Sequence, residues 1–318
     1  MLEKTVVFAL TANKDMALEV VNQLGLELGD VEVKHFADGE VMVETLQSVR
    51  GKNVYIIQST CSPVTERLME LLVFADGLKR GSAREINAVI PYYGYARQDR
   101  KAKAREPISA KLVADLLQVS GIHRVITMDL HAPQIQGFFD CPVDDLSAIP
   151  LFGRYFKKII NKDEEIVVVS PDHGGTTRAR KLGTILNAPI AIIDKRRPKP
   201  NVAEVMGIIG DVKGKVAIMI DDIIDTGGTI CAGAQALMDA GASRVYAACS
   251  HGIFSGDAIK KLQCSVFDEI VITNTIPLSE DKKISKIKVL SVAPMIAKAI
   301  EHIELGLPLS IVYDLYNI

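Results

Sequence analysis

The sequence contains no tryptophan, which removes a fluorescence probe and excludes nothing else. It lacks paired cysteines. Cys61, Cys141, Cys231, Cys249 and Cys264 are odd in number and none form a C-x-x-C pair. A disulfide framework is therefore excluded, and free thiols in a reducing compartment fit. No apolar stretch reaches the length of a membrane span. The opening run MLEKTVVFAL is short, carries Lys4 and shows no small-residue cleavage pattern, so it reads as a first strand and not as a signal peptide. Charge of one sign is also missing: Lys plus Arg number 37 against 39 Asp plus Glu, a formal charge of −2. Such a balance gives no global field for nucleic acid or an anionic membrane, so any polyanion must be held by a local basic cluster. The expectation is a soluble, cytoplasmic protein that binds neither nucleic acid nor membrane.

What is present is material for a packed core. Hydrophobic residues make up 48% of the 318 positions and charged ones 24%, which argues against disorder and for one large domain or two ordinary ones. Short β-branched runs recur at 5–9, 53–58, 86–90, 124–128, 166–170, 190–193, 215–220, 244–249 and 269–273. Helical patterns fall between them, notably at 64–79, 109–120, 176–186 and 228–240. Several runs are apolar on both faces, as buried parallel strands are. The alternation predicts an α/β fold with parallel sheets. GIHRVITMDLHA (121–132) and GASRVYAACSHG (241–252) share Gly, Arg, Val and His at the same offsets, each after an apolar helix. This echo suggests a tandem duplication, with domains at 1–148 and 149–318 divided near Pro150.

The strongest chemical signal is KVAIMIDDIIDTGGTI (215–230). A buried strand ends in Asp221 and Asp222, Asp225 follows, and Thr226-Gly227-Gly228-Thr229 opens a helix. Open α/β sheets bind ligands beyond the carboxyl ends of their strands. Two glycines let backbone N–H groups converge on an anion at a helix N-terminus, and threonine hydroxyls can donate to phosphate oxygens. The carboxylates suit a pair of vicinal hydroxyls. A phosphate beside a diol describes a sugar phosphate. The bland reading, a Gly-rich cap with solvated acids, does not account for the strand–acid–TGGT–helix order.

This stretch resembles the phosphoribosyl pyrophosphate signature of type I phosphoribosyltransferases. FADGE (36–40), PYYGYARQDRK (91–101), MDLHAPQIQGFF (128–139), SPDHGG (170–175) and DKRRPKPN (194–201) extend the likeness. Together, in order and spacing, they resemble the class I ribose-phosphate pyrophosphokinases over nearly the whole chain. The resemblance implies two tandem type I phosphoribosyltransferase-like domains, each a mainly parallel sheet flanked by helices. It implies ATP and ribose 5-phosphate as substrates, Mg²⁺ as cofactor, and a homo-oligomer, a hexamer built from dimers.

Residue roles follow from the same resemblance. Lys195 and Arg197 become a catalytic pair on a mobile loop; by default DKRRPKP is only a solvated basic run. Arg197, Asp221, Asp222, Asp225, Thr226, Gly227, Gly228 and Thr229 become the ribose 5-phosphate site. Arg97 and Gln98 become ATP residues, with the tyrosines of PYYGY as flat apolar surface. Phe36, Asp38, Gly39 and Glu40 reach the ATP of a neighbouring subunit, with Ala37 where the family usually carries Ser. His131 and Asp172 become metal residues, Asp172 the better ligand for Mg²⁺. Asp194 is expected in a turn, without a role. Inorganic phosphate is implied as an activator, and ADP as an inhibitor, through Ser48, Arg50, Ser82, Arg80 or Arg84, and Ser310. Pro308 and Asp314 depart from the hydroxyls usual there, which predicts weakened activation. Two rivals are a non-catalytic regulatory relative, which typically alters the loop around Lys195 and Arg197, and a phosphoribosyltransferase, which leaves the ATP motifs unexplained.

Overall fold

The computed structural model describes residues 2–196 and 205–314, with the backbone alone at 195–196, 205–206 and 313–314. The chain forms two compact units. The first comprises 1–147, 275–277 and 291–312; the second comprises 148–274, 278–290 and 313–318.

In the first unit, β1 (Thr5–Ala9), α1 (Lys14–Leu24), the hairpin β2 (Val31–His35) and β3 (Val41–Thr45), and β4 (Asn53–Ile57) come in turn. α2 (Val64–Arg80), β5 (Glu85–Ile90), α3 (Ser109–Ser120), β6 (Arg124–Met128) and β7 (Val143–Leu146) follow. The sheet is wholly parallel, in the order β1-β4-β5-β6-β7. Val54, Ile56, Ile86, Ala88 and Ile90 face Leu71, Phe74, Val113 and Leu117 of α2 and α3 in one core cluster. Side chains alternate across a strand, so Asn53 and Tyr55 of β4 point to the opposite face.

The second unit contains α4 (Ile149–Ile159), β8 (Ile166–Ser170), α5 (Thr176–Leu186), β9 (Ile190–Arg196), β10 (Val205–Ile209) and β11 (Val216–Ile224). It continues with α6 (Gly228–Asp239), β12 (Arg244–Gly252), α7 (Ala258–Cys264), β13 (Glu269–Thr273) and β14 (Ile287–Leu290). Its seven strands run in the order β10-β9-β8-β11-β12-β13-β14, parallel except for β10, which is antiparallel to β9. Val167, Val169, Ala217, Met219 and Ala247 pack with Ala234, Leu237 and Leu262 of α6 and α7. The echo noted in the sequence falls on β6 and β12, each flanked by a parallel strand on both sides. Their first residues, Arg124 and Arg244, each close an ion pair, with Asp144 and Glu164.

The helix α8 (Ala293–Leu305) corrects the expectation of a second domain running unbroken over 149–318. It belongs to the first unit, where it packs on α1. Glu304 accepts hydrogen bonds from Thr5 Oγ1 (2.9 Å), Asn53 Nδ2 (3.0 Å) and Tyr55 Oη (2.8 Å), so one carboxylate satisfies three donors on β1 and β4. Burial and the Glu304 carboxylate raise the Tyr55 phenol far above its ordinary range, keeping it a neutral donor. The hairpin, β7, β10 and β14 were not among the expected strands. VEVKH and VDDL carry charge within a short strand, and β10 and β14 are edge strands. No helix among the described residues is long and apolar enough to cross a membrane.

Candidate active site

Strand order reverses once in the second sheet. β8 has β9 on one side and β11 on the other, and crevices open at such reversals beyond the carboxyl ends. Those two ends carry the loop 170–175 and the segment 221–229, whose first four residues still belong to β11.

In the first loop, Ser170 Oγ donates to the Asp172 carbonyl (2.6 Å) and Gly175 N–H donates to Asp172 Oδ1 (3.0 Å). A Cβ on Gly175 would lie 2.7 Å from Ser170 Oγ, so any larger residue there would push that hydroxyl aside. The turn fixes the Asp172 carboxylate by one oxygen and leaves Oδ2 for a ligand. His173 Nε2 stands 3.3 Å from Asp194 Oδ1. Asp194 is thus on a strand, opposite Gly207, and not in a turn, because antiparallel pairing with β10 carries β9 through to Arg196. The same pairing places Lys195 on β9, opposite Met206, where a loop was expected. The Lys195 side chain and the whole of Arg197 lie outside the described residues.

Near the end of β11, Asp221 and Asp222 share the Arg178 guanidinium. Arg178 Nη1 is 3.2 Å from Asp221 Oδ1, and Nη2 is 3.2 Å from Asp222 Oδ1. Asp222 is buried, and its N–H donates to Asp221 Oδ1 (2.9 Å). Burial, then the hydrogen bond and charge of Asp222, push the Asp221 carboxyl well above the usual carboxylate range, against the pull of Arg178. Sequence reasoning missed Arg178. Its signal was a basic residue in the first turn of α5, which follows SPDHGG and β8, the strand paired with β11.

Gly227 adopts φ 72°, and α6 starts at Gly228 with no side-chain cap. The first helical bond runs from Cys231 N–H to the Gly227 carbonyl (3.1 Å), so the N–H groups of Gly228, Thr229 and Ile230 have no acceptor within the helix. Thr226, Gly228 and Thr229 are exposed, and a Cβ on Gly228 would meet nothing within 4 Å. Lys261 Nζ donates to the Thr226 carbonyl (3.2 Å) and Ser255 N–H to that of Asp225 (3.0 Å), which anchors the loop from below. The arrangement offers an anion open N–H groups, beside the buried Asp222 and the half-buried Asp221.

In the first unit the candidates project from tightly stitched loops. Tyr92 and Tyr93 of the segment after β5 are buried, which corrects the expectation of a flat tyrosine surface. Tyr93 Oη donates to the Ala110 carbonyl (3.0 Å), and Gly94 N–H to Thr60 Oγ1 (2.6 Å). The Tyr93 phenol anchors the segment, and at its tip Arg97 and Gln98 are exposed. Gln98 Oε1 accepts from Ser109 Oγ (2.6 Å), so its amide NH₂ faces outward. His131 is exposed just after β6. At the hairpin tip, Phe36 is 55% exposed. Asp38 Oδ1 accepts the Glu40 N–H (3.2 Å), and Gly39 takes φ 95°, which closes the turn. Arg50 Nη1 meets Ser82 Oγ at 3.0 Å, so the structure brings together two of the residues expected at the regulatory site.

Residues 5–121 match the family model for the N-terminal domain of ribose phosphate pyrophosphokinase, and residues 162–313 match the phosphoribosyl synthetase-associated domain. A ribose-phosphate pyrophosphokinase of Caldanaerobacter subterraneus subsp. tengcongensis is 60% identical over 306 residues, 96% of each chain. One from Bacillus caldolyticus is 58% identical over 307 residues, 96% of this chain and 97% of that one. Among solved structures, phosphoribosylpyrophosphate synthetase from Mycobacterium smegmatis superposes with a TM-score of 0.91 at 41% identity, over 96% of this chain and 100% of that one.

Proposed function

The chain belongs to the ribose-phosphate pyrophosphokinase family, and from that premise we propose the reaction it carries out. The anomeric 1-hydroxyl of ribose 5-phosphate attacks the β-phosphorus of ATP in line. The bond from the β-phosphorus to the α,β-bridging oxygen breaks, that oxygen leaves with AMP, and 5-phospho-α-D-ribose 1-diphosphate forms with loss of the hydroxyl proton.

The observation that carries this reading is the segment 221–229, an uncapped helix start set beside an acid pair of which Asp222 is buried. The N–H groups of Gly228 and Thr229, with the hydroxyls of Thr226 and Thr229, hold the 5-phosphate. Asp221 and Asp222 take the ribose hydroxyls, and Asp225 fixes the loop between them. Arg97 and Gln98 hold ATP, while Phe36, Asp38, Gly39 and Glu40 serve the ATP of a neighbouring subunit within a hexamer built from dimers. Lys195 and Arg197 stabilise the charge that develops on the diphosphate, a role that cations fill in phosphoryl transfer without covalent chemistry.

A divalent cation fits the donors present. Asp221 and Asp222 are oxygen ligands whose mutual repulsion a bound cation relieves, and Asp172 keeps one carboxylate oxygen open. By the family resemblance Asp172 would supply a carboxylate oxygen to Mg²⁺, and His131 would act through water or a phosphate. Bound Mg²⁺ would neutralise charge on the diphosphate. Inorganic phosphate at Arg50 and Ser82 is the proposed activator, weakened by Pro308, and the protein works in the cytoplasm.

The test is AMP formation from ATP that depends on ribose 5-phosphate. A regulatory relative would form none, and a phosphoribosyltransferase would consume the product instead of making it.

A further inference from the structure

We propose a second metal site, outside the residues assigned to substrates, in which His35, Glu66 and Glu70 hold a transition-metal ion of the Zn²⁺ class. His35 is the last residue of β2, and Glu66 and Glu70 stand one turn apart on α2. Residues four apart share a helix face, so both carboxylates present to the same side. The three side chains each offer one ligand atom, and these atoms all lie within 4.8 Å of one another. His35 Nε2 is already 3.2 Å from Glu66 Oε1.

Glu70 separates this cluster from an ordinary surface ion pair. It is 1% exposed, and among the described residues its carboxylate meets no Lys or Arg. Its partners are neutral: Thr11 Oγ1 at 2.9 and 2.6 Å from the two oxygens, and Gln58 Nε2 at 2.7 Å from Oε2. A buried carboxylate beside a second carboxylate calls for a cation. One imidazole between two carboxylates supplies at most a single charge, and only when protonated. Thr11 and Gln58 do for Glu70 what outer-shell donors do for metal-ligating carboxylates: they fix its orientation and leave lone pairs for the ion.

The donor set selects the metal. An imidazole nitrogen with two carboxylate oxygens suits Zn²⁺ and its neighbours in the first transition row, and three protein ligands leave a position for water. Mg²⁺ prefers oxygen ligands throughout, so the ion expected at the substrate phosphates is a poor competitor here. Bound metal would tie the turn end of the β2–β3 hairpin, where His35 pairs with Val41 and Phe36 follows, to α2.

The test uses the full chain, stripped of metal and returned to millimolar Mg²⁺, with Zn²⁺ measured by equilibrium dialysis and Co²⁺ by its visible absorption. Wild type should bind one Zn²⁺ per chain that Mg²⁺ does not displace. His35→Ala, at an exposed position that should not disturb folding, should lose that ion and the matching Co²⁺ bands. Thr11→Val keeps all three ligands and should weaken Zn²⁺ binding about 10–100-fold, the effect of losing an outer-shell partner. Equal Zn²⁺ binding in wild type and His35→Ala would overturn the proposal. So would the absence in wild type of any Zn²⁺ that resists Mg²⁺.

Discussion

The two sheets share a parallel ladder and differ in where the chain enters it. In the first unit each new strand is added to the same side, β1-β4-β5-β6-β7. In the second the chain starts at β8, moves out to β9 and β10, then returns past β8 to β11. Only the second path sends two neighbouring loops in opposite directions, and only there do a fixed carboxylate, a paired acid and an open helix start gather at one edge. In the first unit the loop beyond β5 is pinned by Tyr93, Gly94 and Gln98. Its functional candidates are exposed tips: Arg97, Gln98, His131 and Phe36. A shared fold thus gives one unit a crevice and the other a display surface, and the order of strand addition accounts for the difference.

The comparison can be broken most sharply at the second unit. Lys195→Ala and Arg197→Ala should each lower turnover by roughly 10³-fold with an unchanged circular dichroism spectrum. Near-normal turnover in either would take the transition-state cations away from the β9 hairpin.

Next in size is a test of the first unit. Glu304→Ala strands donors from Thr5, Asn53 and Tyr55, and should cost about 2–4 kcal/mol of stability. Protection from hydrogen exchange should fall on β1 and β4 and persist on β11 and β12. A uniform loss across both sheets would mean that the units do not unfold separately.

Substrate assignment divides the units more gently. Gly228→Val fills space that is open in the fold, so stability should hold while KM for ribose 5-phosphate rises about 10–100-fold, against little change for ATP. Gln98→Ala should do the reverse. Equal effects of either variant on both substrates would erase the division.

The smallest effect is on pH dependence. The Asp221 carboxyl is raised in the folded state, so the fold favours its neutral form. That preference is fully present below the ordinary carboxylate pKa and is lost as pH rises through the raised value. The ligand-free protein should therefore lose stability over this window, and Asp221→Asn should remove the loss, gaining about 1 kcal/mol or more at pH 8 and nothing near pH 4. Melting temperatures of both proteins across that range decide it; parallel curves would contradict the raised value.

Much of this was legible in the sequence where local pattern and tertiary role coincide. Apolar β-branched runs such as IVVVS are buried on both faces and marked their own strands. The acid pair and TGGT were visible because their chemistry needs fixed spacing. Other features depend on partners far along the chain. Arg178 reads as one more helix cation until β11 lies beside it. Tyr92 and Tyr93 look like a ligand surface until their burial is seen. Nothing in VAPMIAKAIEHIEL says which sheet it covers, since an apolar helix face fits either. The hairpin alternates apolar and polar residues too briefly to be told from a loop.

The placement of α8 also sets a schedule for biosynthesis. Tyr55 leaves the ribosome long before its partner Glu304, which lies 249 residues later. At 5–20 residues per second that interval is about 12–50 s. Throughout it, Thr5, Asn53 and Tyr55 lack the acceptor that the finished protein gives them. Although its strands are translated first, the amino-terminal unit is completed after every strand of the second has emerged, and a nascent chain stalled short of α8 would expose that face to chaperones.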